Sequence, residues 1–427
     1  MSPTSRSVCL ASLIKVFTQN SYSSLSLGQA LDRAKLKSAD RRLATRLFYG
    51  TIQYRLYLAY QLRGLVKTKL KEDYLRPLLL MSLYQLLFMD KIPQRAVLDE
   101  ANKLAKQFGK RNSRGFRIVN GILRAFLRRG AQLPAKTAPD YLSVKYSYPQ
   151  WLVDYLLTNF VQAQAVANLA SCNQAPCNCV RVKRQADRAK VVAELKKEGY
   201  GVATSPLSKA SLRLTGGSGA ASPLFQAGQI TIQDEAAALP VQAFSWQGTE
   251  RVLDACAAPG GKTEQIAEHL TTGQVVALDL HANKLRLIQQ NAQRMGQAGK
   301  VQTLALDARK AGTRFAAGSF DKILVDAPCS GLGLLRRKPE IRYAKSKQDL
   351  EQLAQVQLSI LQAVWPLLRA GGELVYSTCT ISCEEDEQVS QTFLAKQTDA
   401  VLASQRKILP ADYGSDGFFI ARFTRRG

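Results

Sequence analysis

The chain has 427 residues, of which 46% are hydrophobic, and its 59 Lys and Arg outnumber 33 Asp and Glu to give a net charge of +26. This composition excludes a mainly disordered chain and predicts two or three packed domains. The excess of positive charge is larger than solubility requires. It favours a polyanionic partner, with RNA or DNA ahead of a membrane surface. The alternative is a soluble basic protein without such a partner.

Residues 1–133 are predicted to form an all-helical domain. The spacing of apolar residues predicts helices over 7–17, 74–90, 99–109 and 116–129. The second of these is apolar nearly all round, which is typical of a central buried helix. The third is expected to carry Asp99 and Glu100 in its first turn and to end at Gly109.

Much of the positive charge lies in this part of the chain. Residues 1–150 hold 27 Lys and Arg against 8 Asp and Glu, and residues 101–130 contain nine basic and no acidic side chains. A solvated helix face is the alternative, but charge this uneven favours a surface that binds nucleic acid.

A Pro- and Ala-rich stretch at 130–140 predicts a linker. Residues 140–236 are predicted to form a small α+β connector with an RNA-binding-like fold. Helices are expected over 148–160 and 187–200, and strands over 177–184 and within 211–237.

From residue 237 onwards the pattern changes to alternating strands and helices. Strands are predicted over 251–256, 274–280, 301–306, 322–327 and 372–378, and helices over 282–296 and 349–368. This alternation predicts a Rossmann-like α/β domain over 237–427, with a parallel, doubly wound sheet covered on both faces. A ligand of such a sheet lies at the carboxyl ends of the strands, near the point where the strand order reverses.

The first of these strands leads into a glycine-rich turn, DACAAPGGKT (254–263). A Gly-Gly turn between strand and helix allows a ligand to approach the backbone next to a helix N-terminus. The turn does not match the phosphate-binding Walker loop, because Cys256 stands where that motif needs Gly and Pro259 has no N–H. The Rossmann G-x-G-x-x-G pattern is also absent. These observations argue against ATP and NAD and leave a nucleoside ligand without a bound pyrophosphate.

Four of the predicted strands end in an aspartate: Asp254, Asp279, Asp307 and Asp326. One acidic residue at a strand end is usually a turn or cap residue, whereas four at successive carboxyl ends would line one cleft. Asp279 lies 25 residues after Asp254, and a carboxylate at this spacing commonly accepts hydrogen bonds from ribose hydroxyls. We therefore predict a ligand site rather than four independent turns.

Cys329 and Cys379 follow the fourth and fifth predicted strands. A parallel sheet would open both loops on the same face and bring the two thiols over one substrate. The alternative is two ordinary buried cysteines. No metal site is expected, because the cysteines within 172–179 have poor ligand spacing. The two histidines of the chain show no partner pattern, which argues against Cys-His catalysis.

Cys383 is nearer to Cys379 in sequence but is interpreted as a structural residue. It precedes an acidic run, 384–387, which is predicted to form the first turn of a helix. Acidic neighbours disfavour a thiolate, and a C-x-x-x-C pair alone is weak support for a metal or a disulfide. Cys329 is therefore the expected partner of Cys379.

The expected location follows from the lack of targeting segments. No apolar run reaches the 18 residues that a membrane span needs. Lys15 interrupts the apolar patch near the start, which lacks the core and cleavage site of a signal peptide. With eight irregularly spaced cysteines, the chain is expected to be a cytoplasmic protein with reduced thiols.

Several motifs together resemble the signature blocks of a known family, the RNA cytosine-C5 methyltransferases. The blocks are DACAAPGGKT (254–263), LVDAPCSGLG (324–333), RRKP (336–339) and VYSTCT (375–380). These S-adenosyl-L-methionine-dependent enzymes are related to the bacterial protein called Sun or Fmu. The basic N-terminal helices resemble the NusB-like RNA-binding domain of the small-subunit ribosomal RNA member, and DGFFIARF (416–423) resembles the last strand of the family. The resemblance covers essentially the whole chain.

The resemblance implies a role for each motif. Cofactor binding is implied for Cys256, Ala257, Ala258, Pro259, Gly260, Gly261, Lys262, Asp279, Asp307 and Asp326. Asp279 would hold the ribose hydroxyls, Asp307 would meet the adenine, and Asp326 would lie between the cofactor and the target base. Cys379 would be the nucleophile and Cys329 the residue that assists product release.

Two thiols suit this chemistry because carbon 5 of cytosine is too electron-poor to attack a methyl group unaided. A thiolate that adds at carbon 6 activates carbon 5, and a base must later remove the hydrogen from carbon 5. A free thiol has a pKa of about 8.5, so the nucleophile needs help to ionise. Candidate sources of positive field are Lys262, Arg336, Arg337 and Lys338.

The sequence therefore predicts methylation of carbon 5 of a cytidine in 16S ribosomal RNA by a monomer that uses S-adenosyl-L-methionine and no metal. The RNA would be free or in an early assembly state. Transfer RNA is an alternative substrate, and only the family resemblance of the first domain favours ribosomal RNA. A non-catalytic RNA-binding or antitermination factor is the other alternative, against which the cysteine pair and the four aspartates argue.

Overall fold

The computed structural model describes residues 3–19, 23–67 and 69–427. The chain divides into two compact units, Met1–Thr158 and Asn159–Gly427. Within the described ranges, no helix combines the length and the apolar character that crossing a membrane requires.

The first unit is built from helices. They are α1 (Ser5–Gln19), α2 (Ser23–Ala34), α3 (Ser38–Gln53), α4 (Arg55–Gln61), α5 (Leu75–Phe88), α6 (Gln94–Phe108), α7 (Gly115–Arg129), α8 (Tyr141–Tyr146) and α9 (Gln150–Asn159). Every residue of α5 from Pro77 to Gln85 is buried. The predictions of an all-helical first domain and of a central buried helix are confirmed.

Helix α6 begins earlier than predicted. It starts at Gln94 directly after Pro93, whose fixed φ and missing N–H suit a helix start. Asp99 and Glu100 therefore lie in the second turn, and the prediction that they occupy the first turn is wrong. Gly109 follows the last helical residue, as predicted.

Helix α7 has one apolar and one basic face. Val119, Leu123 and Phe126 are buried. The exposed side of the helix carries the guanidinium groups of Arg117, Arg124 and Arg128. Spacings of seven and four residues place these three arginines on the same side of the helix, so they form one exposed basic stripe.

The second unit begins with a small α+β module, as predicted. Its antiparallel sheet has the strand order β2-β3-β1-β4. The strands are β1 (Asn178–Val182), β2 (Gly201–Thr204), β3 (Ser211–Thr215) and β4 (Ile230–Ile232), and the helices are α10 (Gln162–Ser171), α11 (Arg188–Lys197) and α12 (Pro223–Gln226). The sequence did not predict β2, which is short and mostly exposed.

A seven-stranded sheet with the order β10-β11-β9-β8-β5-β6-β7 forms the rest of this unit. The strands are β5 (Arg251–Asp254), β6 (Gln274–Asp279), β7 (Val301–Ala305), β8 (Phe320–Asp326), β9 (Leu368–Thr378), β10 (Ala400–Ile408) and β11 (Phe418–Arg425). β5 to β9 are parallel, and β11 pairs antiparallel with β9 and β10. The predicted parallel sheet is confirmed; β10, with five exposed residues in succession at the sheet edge, was not predicted.

Helices cover both faces of the large sheet. The helices of this part of the chain are α13 (Leu239–Gln242), α14 (Gly261–His269), α15 (Ala282–Arg294), α16 (Ile341–Ala344), α17 (Lys347–Val364), α18 (Glu387–Lys396) and α19 (Pro410–Tyr413), with short 3-10 turns at Ala298–Lys300, Ala308–Thr313, Leu332–Leu334 and Trp365–Leu367. Side chains of α17 and α18 pack on one face, and side chains of α13 and α14 pack on the other. Domain boundaries at 133, 140 and 236 remain a proposal.

Candidate active site

The candidate site lies at the carboxyl ends of β5, β8 and β9. β5 lies beside β8 in the sheet, and the strand order reverses between these two strands. Doubly wound sheets bind their ligands at this switch point. Asp254 is the last residue of β5, Asp326 is the last residue of β8, and Cys379 directly follows β9.

The glycine-rich loop after β5 is held close to β6 and α15. The N–H of Ala257 donates to the carbonyl of Leu278 in β6 at 2.8 Å. Gly260 has a φ of 108°, and a Cβ at this position would lie 3.1 Å from Cα of Ile288 in α15. Glycine is therefore required both by the conformation and by the close approach. Among the described residues no side chain caps α14, which begins at Gly261, so its first N–H groups face the loop as potential ligand donors.

A cleft of about 330 Å³ opens beside this loop. The residues on its walls that the sequence singled out are Asp254, Cys256, Ala257, Ala258, Pro259, Gly261, Lys262, Asp326 and Arg337. Asp234 and Asp416 are further wall residues. Seven of the ten predicted cofactor residues thus line one cleft; Gly260, Asp279 and Asp307 do not line it.

The charges of Asp279 and Asp307 nevertheless act on the same loop. Burial raises the pKa of the Cys256 thiol, and the negative charges of Asp254, Asp326, Asp279 and Asp307 raise it further. Four carboxylates from four strand ends therefore act on one side chain. The sequence predicted that all four would line one cleft; Asp254 and Asp326 do so, and Asp279 and Asp307 do not.

Asp279 and Asp307 also cap the turns that follow their strands. Asp279 accepts a hydrogen bond from the N–H of His281 at 2.9 Å. Asp307 accepts from the backbone N–H and the guanidinium of Arg309 at 3.0 and 2.6 Å. The hydrogen bonds from the Arg309 side chain hold the pKa of Asp307 below its usual value. The roles of both aspartates toward ribose and adenine stay predictions.

Asp254 is fully buried at the inner end of the cleft. Burial raises its pKa to about 7, although the Thr263 hydroxyl donates to Oδ2 at 2.6 Å and lowers it in part. Its other oxygen, Oδ1, has no hydrogen-bond partner among the described residues. A buried acceptor without a donor fits a cleft that receives a ligand bearing N–H or O–H groups, as S-adenosyl-L-methionine does.

Asp326 is fixed from two directions. The ammonium of Lys262 pairs with its Oδ2 at 2.7 Å, and the Ser377 hydroxyl donates to its Oδ1 at 2.8 Å. Lys262 was predicted as a source of positive field for the nucleophile. Its ion pair shows that Asp326 is the direct partner of that charge.

Cys329 and Cys379 lie together, with 3.2 Å between their sulfur atoms. The Ala327 N–H donates to the carbonyl of Ser377, and the Gly333 N–H donates to the carbonyl of Cys379. These backbone hydrogen bonds join the loop that carries Cys329 to the loop that carries Cys379. The hydrogen bond to Cys379, burial and nearby negative charge raise the pKa of Cys329 well above its usual value. These causes favour the protonated form of Cys329, and either sulfur can be the donor in this contact.

The acidic run after Cys379 differs from the prediction. Helix α18 begins only at Glu387, because residues 383–386 form a turn. Glu385 and Asp386 are fully buried in this turn. Sequence reasoning missed Glu385, which contacts both thiol loops; the one available signal was a Thr-Ile-Ser stretch next to the acids, which supplies hydroxyl donors.

The two arginines of the RRKP motif have partners other than the thiols. Arg336 is buried and donates to the carbonyl of Gly414 and to the Ser171 hydroxyl. Arg337 pairs with Asp234 at 2.7 Å and with Asp416 at 2.9 Å. Arg337 thus lines the cleft, whereas Arg336 does not. Their role as sources of positive field for the nucleophile stays a prediction.

Cys383 lies in the same turn, half-buried. Burial raises the pKa of its thiol, the Lys407 ammonium lowers it, and the carboxylates of Glu384, Asp386 and Glu387 raise it. A raised pKa fits the interpretation of Cys383 as a structural residue, which stays a prediction.

The sheet, the glycine-rich loop and the cleft at the switch point define a Rossmann-like methyltransferase, and S-adenosyl-L-methionine is its cofactor. Residues 241–424 match the family described as 16S rRNA methyltransferase RsmB/F. Residues 3–128 match the NusB family, and residues 148–219 match the ferredoxin-like domain of RsmF/B-like methyltransferases. The chain belongs to the RsmB/F family of methyltransferases.

Individual relatives agree with this assignment. The chain is 37% identical to a probable ribosomal RNA small subunit methyltransferase B of Bacillus subtilis, over 99% of both chains. It is 32% identical to the ribosomal RNA small subunit methyltransferase B of Proteus mirabilis, over 99% of this chain and 98% of the relative. A solved methyltransferase homologue from Pyrococcus horikoshii superposes with a TM-score of 0.60 at 26% identity, over 69% of this chain and all of that one.

Proposed function

We propose that the protein methylates carbon 5 of a cytidine in small-subunit ribosomal RNA, through a covalent bond between Cys379 and carbon 6 of the base. The observation that carries the proposal is the 3.2 Å approach of the Cys329 and Cys379 sulfur atoms at neighbouring strand ends. One thiol can add to a base while the other removes a proton from it. The printed names of the relatives support ribosomal RNA as the substrate class.

Cys379 begins the proposed reaction. Its thiolate adds to carbon 6 of cytosine, and the electrons of the C5–C6 double bond make carbon 5 nucleophilic. S-adenosyl-L-methionine, when bound, supplies an electrophilic methyl group to that carbon. Carbon 5 then carries both methyl and hydrogen. The Cys329 thiolate takes the proton, the double bond re-forms, and Cys379 leaves as a thiolate.

Asp326 is proposed to hold the Watson–Crick edge of the base. Lys262 and Ser377 fix its carboxylate, and an ionised carboxylate accepts a hydrogen bond from the exocyclic amine of cytosine, which uracil lacks. The target base has to leave its stack to reach this position. The exposed basic stripe of α7 is proposed to contact the RNA backbone.

Covalent trapping tests the proposed roles. Small-subunit ribosomal RNA transcribed with 5-fluorocytidine is incubated with the protein and S-adenosyl-L-methionine, and adducts are counted on denaturing gels. We expect an adduct with the unchanged protein, because the fluorine at carbon 5 cannot leave as a proton does. We expect none with Cys379→Ala. With Cys329→Ala we expect an adduct to accumulate on ordinary cytidine RNA.

Cys383→Ala is the matched control, since it removes a thiol four residues from Cys379 and is expected to behave like the unchanged protein. Normal methylation by Cys379→Ala would show that the roles are assigned wrongly. Bisulfite sequencing of ribosomal and transfer RNA from a deletion strain then decides the substrate. A lost cytosine mark in transfer RNA alone would contradict the choice of ribosomal RNA.

A further inference from the structure

We infer that Glu385 is a positioning residue that holds the two thiol loops in register, an inference that rests on the proposed roles of Cys329 and Cys379. Glu385 is fully buried. It lies in the turn between the Cys379 loop and α18. Each of its two carboxylate oxygens accepts hydrogen bonds, and the donors come from three separate segments.

The first set of contacts joins Glu385 to the Cys329 loop. Oε1 accepts from the backbone N–H of Ser330 at 2.7 Å, and Oε2 accepts from the Ser330 hydroxyl at 2.5 Å. Ser330 directly follows Cys329, so the backbone that carries this thiol is clamped at the neighbouring residue. The carboxylate also contributes to the raised pKa of Cys329.

The second set joins Glu385 to the Cys379 loop. Oε2 accepts from the Ser382 hydroxyl at 2.7 Å, and the Thr380 hydroxyl lies 3.4 Å from it. Thr380 directly follows Cys379 and also meets the Ser330 hydroxyl at 2.8 Å. The carboxylate therefore binds the residue that follows Cys329 directly, and the residue that follows Cys379 through the Ser330 hydroxyl.

A second layer fixes Glu385 itself. The Gln357 amide in α17 donates both to Oε1 of Glu385 at 3.1 Å and to the carbonyl of Pro328 at 3.0 Å. The Tyr376 hydroxyl contacts the side-chain oxygen of Gln357 and the carbonyl of Glu385. Both side chains are fully buried. The donors to the carboxylate are all uncharged, so hydrogen bonds and not an ion pair satisfy its buried oxygens.

Glutamine is nearly the same shape as glutamate but cannot replace it here. The carboxylate has two acceptor oxygens, whereas the amide has one acceptor oxygen and an NH₂ donor. In Glu385→Gln the NH₂ group would take the place of one carboxylate oxygen. It would face either the Ser330 N–H or the hydroxyls of Ser330, Ser382 and Thr380. The clamp between the loops therefore opens on one side, and the sulfur atoms of Cys329 and Cys379 lose their fixed separation.

The rate of disulfide formation between Cys329 and Cys379 measures how close the two thiols are held, and it needs neither RNA nor cofactor. Diamide takes two hydrogens from a pair of adjacent thiols and leaves a disulfide, so the rate at which Cys329 and Cys379 become linked, followed by mass spectrometry, reports how often they meet. We expect Glu385→Gln to slow this linkage at least tenfold. We expect a similar fall in the rate of adduct formation on 5-fluorocytidine RNA. The affinity for S-adenosyl-L-methionine, measured by calorimetry, should stay within twofold.

Glu373→Gln is the matched control. Glu373 is another buried carboxylate, paired with Lys322 and Arg422, but it lies six residues before Cys379, about 20 Å along β9. We expect this variant to lower the thermal midpoint and to leave the linkage rate unchanged. Ser330→Ala, which removes one hydroxyl donor, is a milder second variant and should slow linkage by severalfold.

The outcomes separate this inference from the proposed function. Slow linkage in Glu385→Gln supports the clamp even in a protein that methylates no cytosine. Wild-type linkage and adduct rates in both Glu385→Gln and Ser330→Ala overturn the clamp, whatever the substrate. Equal slowing by Glu373→Gln would also overturn it, because the effect would then follow from lost stability alone.

Discussion

The buried ion pair between Arg181 and Glu268 gives a stability prediction that the structure allows us to quantify. Both side chains are 1% exposed, and Nη1 of Arg181 contacts the two carboxylate oxygens at 2.7 and 2.8 Å. The pair links β1 of the small module to α14. Removing one partner leaves the other charge buried and unpaired, which costs about 3–5 kcal/mol. We therefore expect Arg181→Met or Glu268→Gln alone to lower the free energy of unfolding by about this amount.

The double variant should cost clearly less than the sum of the two single ones, because neither Arg181 nor Glu268 is then left buried without its partner. Urea unfolding followed by tryptophan fluorescence measures all three variants. A Trp151→Phe background leaves Trp246 and Trp365, which both report on the second unit. Cofactor affinity should change little, since Glu268 lies about 10 Å along α14 from the residue at which the helix starts. If the losses of the two single variants simply add in the double variant, the reasoning is refuted.

Three further predictions concern the cofactor, acid sensitivity and RNA. Gly260→Ala places a Cβ against α15 at a φ of 108° and should weaken S-adenosyl-L-methionine binding roughly 10- to 100-fold by calorimetry. His269→Gln should remove part of the acid sensitivity of unfolding below pH 6.5. Changing Arg117, Arg124 and Arg128 to Gln should lower the magnitude of the slope of log affinity against log salt, for ribosomal RNA, by roughly 2–3.

The sign of the His269 effect follows from its environment. Burial, and then the positive charges of Arg184 and Arg181, lower the pKa of His269 from 6.5 to about 4. Between these values the unfolded chain binds a proton that the folded chain does not. The free energy of unfolding therefore falls as the pH drops from about 6.5 to about 4, by roughly 1–3 kcal/mol once partial solvent screening is allowed for. Unchanged pH dependence in His269→Gln would contradict this.

Each of these variants has a matched control. Gly299→Ala should bind cofactor normally, because a Cβ there meets no atom within 4 Å. His281→Gln changes the other histidine of the chain, at an exposed position, and should keep the acid sensitivity. Lysine at the three α7 positions keeps the charge and should keep the salt slope. Equal salt slopes for the Gln and Lys triple variants would argue against a phosphate-binding stripe.

The strand ends were predictable from the sequence because they depend on local pattern. Apolar runs followed by Asp254 or Asp326 alternate with helical periodicity, and a parallel sheet then brings their ends to one edge. The polar contacts were less predictable. Arg337 pairs with residues 103 and 79 positions away in the chain, which no local pattern reveals. Strand β10 escaped prediction because its exposed edge position lacks the apolar alternation of a half-buried strand.

Glu385 shows why a buried carboxylate is hard to predict. Acidic residues near the start of a helix usually lie in its first turn, where their negative charge interacts favourably with the helix dipole. The run at 384–387 was therefore expected to form such a turn. In the structure, the turn points Glu385 inward, where the donors come from Ser330 and Gln357, 55 and 28 residues away. Only the folded arrangement of loops supplies enough donors to bury that charge.

The surroundings of the two thiols also favour one order of the proposed steps. The hydrogen bond to Cys379 is the largest cause of the raised pKa of Cys329, followed by burial and by the negative charge of Cys379. While Cys379 is not bonded to a base, its presence therefore favours the protonated form of Cys329. Once Cys379 is bonded to carbon 6, it is neither charged nor a good acceptor, and the largest cause of the raised pKa disappears. Cys329 then ionises more readily, and only at the stage at which a base is needed to remove the proton from carbon 5.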